Sequence, residues 1–220
     1  ERHLAEAIWI DLEAPTEGEE DAVEAALGID IPTHEDMQEI EVSSRIYRDN
    51  GVLFLTAQVI ASPDAREAEI GPVTFAVLED RLVTVHYHKP RSLMYFADWA
   101  GRHDTTLDSG PDALLGLLEA VVDRLADILE AEMRQHETLA KAIFAAHRPS
   151  GKAQTLGAVL QRIGRAEAMN GKVNESLATI QRLLTYLTSV PETAEGPCLH
   201  ARQMPIALAH CGNTVSSTLP

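Results

Sequence analysis

Two histidines close together, His86 and His88, have the residue type and the spacing to begin a metal site. Side chains two positions apart on a β-strand lie on the same face, so the two imidazoles could bind one zinc ion together. The neighbouring sequence supplies no third ligand, and His34 and His103 could approach only through the fold. The alternative is that both are ordinary histidines on a sheet surface or partly buried within it.

A second group of zinc-type residues lies near the C-terminus. Structural zinc modules bring their ligands as close pairs with characteristic spacings, and the spacing C-x-H-x9-H-C is not one of these. We therefore expect these residues to be incidental. They also include both cysteines of the chain, which argues against a disulfide framework and fits a reducing compartment such as the cytosol. The four residues are Cys198, His200, His210 and Cys211.

Signatures of common enzyme classes are absent from the sequence. It contains no G-x-S-x-G nucleophile motif, no phosphate-binding P-loop and no G-x-G-x-x-G dinucleotide fingerprint. No cysteine outside the C-terminal stretch could serve as a nucleophile beside a histidine. We therefore expect that the protein is not an enzyme.

The charge of the chain is strongly negative and unevenly distributed. The net charge is −16; residues 1–147 carry 30 acidic against 11 basic side chains, and residues 148–220 carry 4 against 7. An acidic surface repels nucleic acids and anionic lipids and concentrates cations, although it also serves solubility alone. No run of 18 apolar residues and no signal peptide are present, so we expect a soluble chain without a nucleic-acid partner.

The first 40 residues predict a strand and two short helices. The text AIWIDLEAP is a short apolar run that ends at Asp, Glu and Pro, as a strand entering a loop does. Thr16 followed by Glu19 predicts a capping box at the start of a helix, and Thr33 after Pro32 predicts the cap of a second one.

An antiparallel meander and a further helix are predicted next. SSRIYRDNGVLFLTAQVI, GPVTFAVLED and RLVTVHYHKP are rich in β-branched and apolar residues, with turn signals at 49–51 and 79–80. In SLMYFADWAGR the aromatic side chains are expected to pack onto the sheet, with Phe96 and Trp99 on one helix face.

Two long helices are predicted after Pro111. Apolar residues at spacings of three and four continue through DALLGLLEAVVDRLADILEAEMRQHETLAKAIF and again from Leu156 to Leu187. The short joint HRPSGK predicts that these arms pair as an antiparallel hairpin held by apolar burial. Several outward positions are expected to be polar: Asp123, Arg124, Glu130, Arg134 and Gln135.

The whole pattern predicts an α/β (α+β) fold with a mixed or antiparallel sheet flanked by helices, followed by a long antiparallel helical hairpin. We expect three regions: an α/β core over residues 1–110, the hairpin arms over 111–190, and a tail over 191–220. The tail has prolines and no clean period, so we expect it to be disordered or not native to the protein.

Three stretches in this order carry a family resemblance. GIDIPTHEDMQEIE has a helix with a Glu-Asp pair, GPVTFAVLEDRLVTVHYHKPRSL has the form of a central hairpin, and VNESLATIQRLLTYL that of a return helix. Together they resemble the cytoplasmic N-terminal domain of the CorA family of divalent-cation (magnesium/cobalt) transporters, which includes ZntB-like members. The resemblance covers residues 8 to about 190.

The resemblance implies a regulatory metal site. In the family, acidic side chains at the subunit interfaces of a pentamer hold hydrated Mg²⁺ and keep the pore closed when cytosolic Mg²⁺ is high. Glu35 and Asp36 match the Glu-Asp pair, and Glu119 matches a further acidic position. The partner carboxylate on the stalk has no counterpart here, so Mg²⁺ should bind weakly to this chain. The alternatives are helix capping by Glu35 and Asp36, and a solvated helix face at Glu119.

The resemblance also implies where the protein works. Family members continue into a stalk helix, two membrane helices and a Gly-Met-Asn loop, none of which this chain contains. We expect the full-length protein to be a pentamer at the cytoplasmic face of the bacterial inner membrane, and this chain to be a monomer or weak dimer. The transported cation, Mg²⁺ or else Co²⁺ or Zn²⁺, and the direction of transport stay open. The alternative function is a soluble adaptor whose hairpin binds partner helices.

Overall fold

A mixed five-stranded sheet forms the centre of the protein, which the computed structural model describes over residues 7–39, 41–61, 68–102, 107–146 and 156–189. The strand order is β1-β5-β4-β3-β2; neighbouring strands pair antiparallel except β1, which runs parallel to β5. The mixed sheet predicted from the sequence is therefore confirmed. The strands are β1 (Trp9–Glu13), β2 (Ile46–Asp49), β3 (Val52–Ile60), β4 (Ile70–Val77) and β5 (Leu82–His86).

Helices cover both faces of the sheet. Short helices provide Val23 and Met37 to the core on one face, and long helices provide residues such as Leu117 and Leu183 to the core on the other. In chain order the helices are α1 (Glu17–Leu27), α2 (His34–Met37), α3 (Val42–Arg45), α4 (Arg91–Arg102), α5 (Gly110–Ala146) and α6 (Leu156–Ser189). Of these, α1 and α2 lie on the first face and α4, α5 and α6 on the second. These strands and helices form an α/β core with long helices after it, which is the predicted fold class.

Local sequence signals set the ends of these elements. The Glu19 carboxylate accepts hydrogen bonds from the Thr16 amide at 2.9 Å and the Thr16 hydroxyl at 2.8 Å, which confirms the predicted capping box of α1. These hydrogen bonds to the charged carboxylate also lower the pKa of Glu19. The turn between β2 and β3 is formed by Asn50 and Gly51 with φ angles of 47° and 83°, as the sequence predicted.

The larger core lies between the sheet and the long helices. Alternate residues of β3, among them Leu53 and Leu55, point toward these helices and are fully buried. Helix α6 packs directly on β3, where the backbone N–H of Gln58 donates a hydrogen bond of 3.0 Å to the Thr179 hydroxyl. The buried residues of α6 begin at Ala166 and continue to Leu187, so the C-terminal half of this helix covers the sheet.

Several apolar residues in the distal halves of α5 and α6 are exposed, and a cleft lies between the two helices. Leu156, Leu160 and Ile163 of α6 are 74%, 58% and 44% exposed, and Met133 of α5 is 40% exposed. A cleft of about 1100 Å³ separates the two helices, and Arg124 lines it. The prediction that apolar burial holds the hairpin is thus wrong for these four residues. The apolar residues of α5 and α6 that are buried belong mainly to the core between these helices and the sheet. Arg124 is also not outward, since it points into this cleft.

Helix α4 presents its aromatic residues differently from the prediction. Phe96 is buried, lies edge-on to Trp9 with ring centroids 5.4 Å apart, and fits against α5. Trp99 stacks on Phe96 at 5.8 Å but stays 43% exposed, and Tyr95 is 55% exposed. The expectation that all these rings pack onto the sheet is wrong for Tyr95, because its position on the helix faces solvent.

Several predicted features lie outside the described residues. These are the joint at 147–152, the ligand candidate His103, and the tail 191–220 with its cysteines and histidines at 198, 200, 210 and 211. Within the part of the chain that the structure describes, every helix is too short or too polar to cross a lipid bilayer.

Candidate metal centre

Helix α2, which carries Glu35 and Asp36, is a single turn held by its own side chains. The Asp36 amide donates to the Thr33 hydroxyl at 3.3 Å. In return, Asp36 Oδ2 accepts from the Thr33 amide at 3.0 Å and from the Thr33 hydroxyl at 2.6 Å. Met37 is buried beneath the turn, while Glu35 and Asp36 stay exposed. The predicted cap at Thr33 is confirmed, and it engages one of the two oxygens of the Asp36 carboxylate.

Asp36 also lines a small acidic cleft between α2 and the sheet. The cleft has a volume of about 260 Å³ and includes Glu39, which lies three residues further along the chain. Tyr47 forms part of the same wall; burial, together with the negative charges of Asp36 and Asp49, raises the pKa of its hydroxyl. Carboxylate and hydroxyl oxygens are ligands that hard cations accept. The cleft therefore has the chemistry to attract a divalent cation.

Glu119 is placed on the other side of the molecule. It is an exposed residue of α5, whose neighbours Leu117 and Leu118 are buried against the second face of the sheet. Met37, next to Asp36, is buried against the first face. The sheet thus separates Glu119 from Glu35 and Asp36, and a single chain cannot bring all three to one ion. Among the described residues, no three His, Cys, Asp or Glu side chains converge as a metal site.

His86 and His88 are both buried and engaged in hydrogen bonds. His86 Nδ1 lies 2.6 Å from the His88 carbonyl oxygen, and its Nε2 lies 3.0 Å from Asp11 Oδ1. His88 Nε2 lies 2.9 Å from the Val59 carbonyl oxygen. His34, the third ligand considered from the sequence, lies on α2 and stacks on Tyr87 at 4.2 Å. The geometry therefore matches buried structural histidines, because His86 has no ring nitrogen left for a metal.

Sequence reasoning missed Glu39 and Tyr47 as neighbours of Asp36. A signal for Glu39 was present, since it is a further acidic residue only three positions after Asp36. No local signal pointed to Tyr47, because β2 brings it to the cleft only through the folding of the sheet. The residues matched through the family resemblance and the residues that share a cleft thus overlap at Asp36 alone.

Known proteins with similar sequences and structures give this fold a context. A family model described as "CorA-like Mg2+ transporter protein" matches residues 5–212, which is nearly the whole chain. The chain belongs to the CorA family. Solved CorA structures share the fold: the soluble domain of CorA from Methanocaldococcus jannaschii superposes with a TM-score of 0.75 at 15% identity, covering 95% of this chain and 82% of that one.

Curated CorA relatives are similar at the level of sequence. The magnesium transport protein CorA of Haemophilus ducreyi is 28% identical over 187 residues, covering 84% of this chain and 57% of that protein. The CorA of Escherichia coli is 24% identical over 201 residues, covering 91% of this chain and 62% of that protein. The chain therefore spans about three fifths of the length of these relatives. The ZntB cytoplasmic domain from Vibrio parahaemolyticus also shares the fold, with a TM-score of 0.60 at 13% identity.

Proposed function

We propose that this chain is the cytoplasmic regulatory part of a CorA-type transporter of divalent cations. Mg²⁺ is the cation we favour, because the curated relatives are named magnesium transport proteins; Co²⁺ and Zn²⁺ are the alternatives. The pore would lie in membrane helices outside the described residues. The full-length protein would sit at the cytoplasmic face of the bacterial inner membrane, with this part exposed to the cytosol.

The separation of Glu119 from Glu35 and Asp36 by the sheet is the observation that carries the mechanism. A cation site that uses both groups must be shared by two chains, with the acidic cleft of one subunit facing α5 of the next. A closed ring of subunits, a pentamer by the family resemblance, would repeat this contact around its axis.

The chemistry of Mg²⁺ suits such a shared site. Mg²⁺ retains several of its waters and needs only one or two carboxylates, so two half-sites on separate chains are sufficient. Subunits that each carry a net charge near −16 repel one another, and bound cations offset this repulsion. Cation binding would then favour the symmetric closed ring, and cation loss would release the subunits to move.

The test uses transport by the full-length protein. Glu35→Gln, Asp36→Asn and Glu119→Gln each remove one negative charge with little change in shape. Loss of one charged contact should raise the Mg²⁺ concentration that half-inhibits transport by about ten- to hundredfold, since such contacts contribute about 1.5–3 kcal/mol. Glu175→Gln, an exposed acid of α6, is the matched control. Unchanged inhibition in all three variants would remove these residues from the mechanism.

The isolated chain gives a second test. With only half of each shared site, it should bind Mg²⁺ weakly and remain a monomer or weak dimer. Isothermal titration calorimetry and light scattering coupled to size-exclusion chromatography measure these two properties. Tight Mg²⁺ binding by a monomer would mean that one chain holds a complete site, which contradicts a site shared between subunits.

The exposed apolar stripe of α6 favours a second candidate function, that of a soluble adaptor. Leu156, Leu160 and Ile163 follow one side of the helix, and none of them lines the inter-arm cleft. A helix-binding arm needs such a stripe. Limited proteolysis separates the two functions: protection of the chain by Mg²⁺ supports the transporter role and speaks against an adaptor without a metal role.

A further inference from the structure

His86 ends strand β5 in a buried position that joins three strands of the sheet. Its side chain is only 2% exposed, and it lies on the face covered by the long helices. Across from it, β1 runs parallel to β5, with Asp11 opposite Thr84 and Glu13 opposite His86. On the other side, β4 places Val73 beside it. A buried ionisable group at the junction of an edge strand needs partners for its polar atoms.

The partners of His86 determine its protonation. Nδ1 faces the carbonyl oxygen of His88 at 2.6 Å, and Nε2 faces the carboxylate oxygen of Asp11 at 3.0 Å. A carbonyl and a carboxylate accept hydrogen bonds, whereas neutral imidazole carries only one N–H. Both contacts are therefore satisfied together only when His86 is an imidazolium cation.

Further hydrogen bonds converge on the same carboxylate. The Thr84 hydroxyl donates to Asp11 Oδ1 at 2.5 Å, and the Trp9 indole N–H donates to the Thr84 hydroxyl oxygen at 2.9 Å. The Asp11 carboxylate thus accepts from both Thr84 and His86, and the Trp9–Thr84 hydrogen bond extends this network along the β1–β5 pair. Its side chain is 36% exposed, so water also contacts the negative charge.

The charged surroundings act in opposite directions on the two histidines. Burial opposes the charged form of His86, but the hydrogen bond and charge of Asp11, aided by the His88 carbonyl and Glu13, raise its pKa above the ordinary value. Burial and the positive charge of His86 lower the pKa of His88, although its hydrogen bond to Val59 and the charge of Glu69 oppose this. Lys89 pairs with Glu13 at 2.6 Å at the surface.

We propose that Asp11, Thr84 and His86 form a proton-operated clasp that holds the edge strand β1 on the sheet. The clasp is closed while His86 carries both protons. Loss of one proton leaves a ring nitrogen facing an acceptor, and the contact between the Asp11 and His86 side chains or the contact to the His88 carbonyl must break. Strand β1 pairs with the sheet on one side only. The attachment of β1 to β5 therefore becomes weaker as the pH rises. This inference is independent of any cation role.

The sign of the pH dependence follows from this geometry. In the unfolded chain His86 titrates near the ordinary value of about 6.5, and in the folded chain it titrates higher. The clasp therefore stabilises the fold fully below about pH 6.5 and loses this contribution as the pH rises through the folded pKa. A loss toward high pH is specific to the His86 proton, because carboxylate groups lose their stabilising effects toward low pH.

The experiment is a titration of the full chain with isotope-labelled histidine side chains, followed by NMR. We expect two N–H groups on His86 at pH 6.5 and loss of one at higher pH, with His88 neutral throughout. Hydrogen exchange of the Trp9–Glu13 amides, corrected for the intrinsic pH effect, should rise over the same interval relative to the β3 amides. A neutral His86 at pH 6 would overturn the proposal, and so would amide hydrogen exchange in β1 that does not change as His86 titrates.

A variant separates the clasp from simple packing. Asp11→Asn keeps the shape and an acceptor oxygen but removes the charge, so the pKa of His86 should fall. Glu13→Gln is the control. The Glu13 carboxylate acts on His86 only at a distance, so its removal should lower the pKa of His86 less. An unchanged His86 pKa in Asp11→Asn would refute the assignment. If this variant does not fold, the titration of the unaltered chain decides the question alone.

Discussion

Two glycines in the long helices should respond oppositely to the same substitution. A Cβ at Gly116 of α5 would meet Cε2 and Cζ of Phe96 at 2.6 and 2.9 Å. The Phe96 ring cannot easily move aside, because Trp9 lies edge-on to it and Trp99 stacks on it. At Gly171 of α6, a Cβ would meet nothing within 4 Å. Gly116 is thus a point of close contact between α4 and α5, and Gly171 is not.

The expected magnitudes follow from two opposing effects. Replacing a helical glycine by alanine favours the helix by about 1 kcal/mol at either site. Overpacking against a confined ring costs about 1–3 kcal/mol, and this applies at Gly116 alone. Gly171→Ala should therefore raise the free energy of unfolding by up to about 1 kcal/mol. Gly116→Ala should leave it about 0–2 kcal/mol below the unaltered protein, so the two variants should differ by about 1–3 kcal/mol.

Urea unfolding followed by circular dichroism at equilibrium measures both free energies. The slope against denaturant must stay constant across the three proteins, so that the change reflects stability rather than a different unfolded state. Val173, two residues from Gly171, is fully buried in the core. We therefore expect this part of α6 to unfold together with the rest of the protein, so that the assay reports on Gly171. If Gly116→Ala were stabilised as much as Gly171→Ala, the close approach of α4 and α5 at Phe96 would be refuted.

Three further substitutions, one of them with a matched control, test the core and a cap by the same assay. Thr179→Val leaves the buried amide of Gln58 without its acceptor and should cost about 1–3 kcal/mol, whereas Thr185→Val, whose hydroxyl bonds within its own exposed turn, should change little. Leu183→Ala removes a side chain that is 1% exposed and should cost about 2–5 kcal/mol; a cost below 1 kcal/mol would contradict its packing on the sheet. Thr33→Ala removes the cap of α2 and should cost about 0.5–2 kcal/mol, with no loss expected if the cap were unformed.

Features that depend on neighbouring residues were predictable from the sequence. The caps at Thr16 and Thr33 need only a hydroxyl and a carboxylate three residues apart. The turn at Asn50 and Gly51 needs two residues that tolerate positive φ. The alternating strands and the long helices also have local periods, and the family resemblance added their order.

Features that depend on distant residues were not predictable in this way. The same apolar period from Leu156 to Leu187 is buried only where α6 meets β3, and its first three leucine and isoleucine side chains are exposed. Nothing in the local sequence distinguishes these two parts of the helix. Likewise, the spacing of His86 and His88 fits a zinc pair as well as a buried pair, and only Asp11, 75 residues away from His86, separates the two interpretations.

For the candidate metal centre, the sequence placed Glu35, Asp36 and Glu119 through resemblance alone, and their role stays a prediction. The structure adds that the sheet lies between Asp36 and Glu119 and that Glu39 shares the cleft of Asp36. The arrangement of subunits that would join the two halves depends on surfaces of a second chain, which one sequence does not specify.

The parallel pairing of β1 with β5 sets an order for folding during synthesis. The four strands β2 to β5 are joined by short connections and can pair as each emerges, but Trp9 must wait for Thr84, 75 residues later. At about 5–20 residues per second, this delay is about 4–15 s on the ribosome. The first strand to be made is therefore the last to join the sheet, and during this delay β1 itself is an unpaired strand that any other extended chain could pair with.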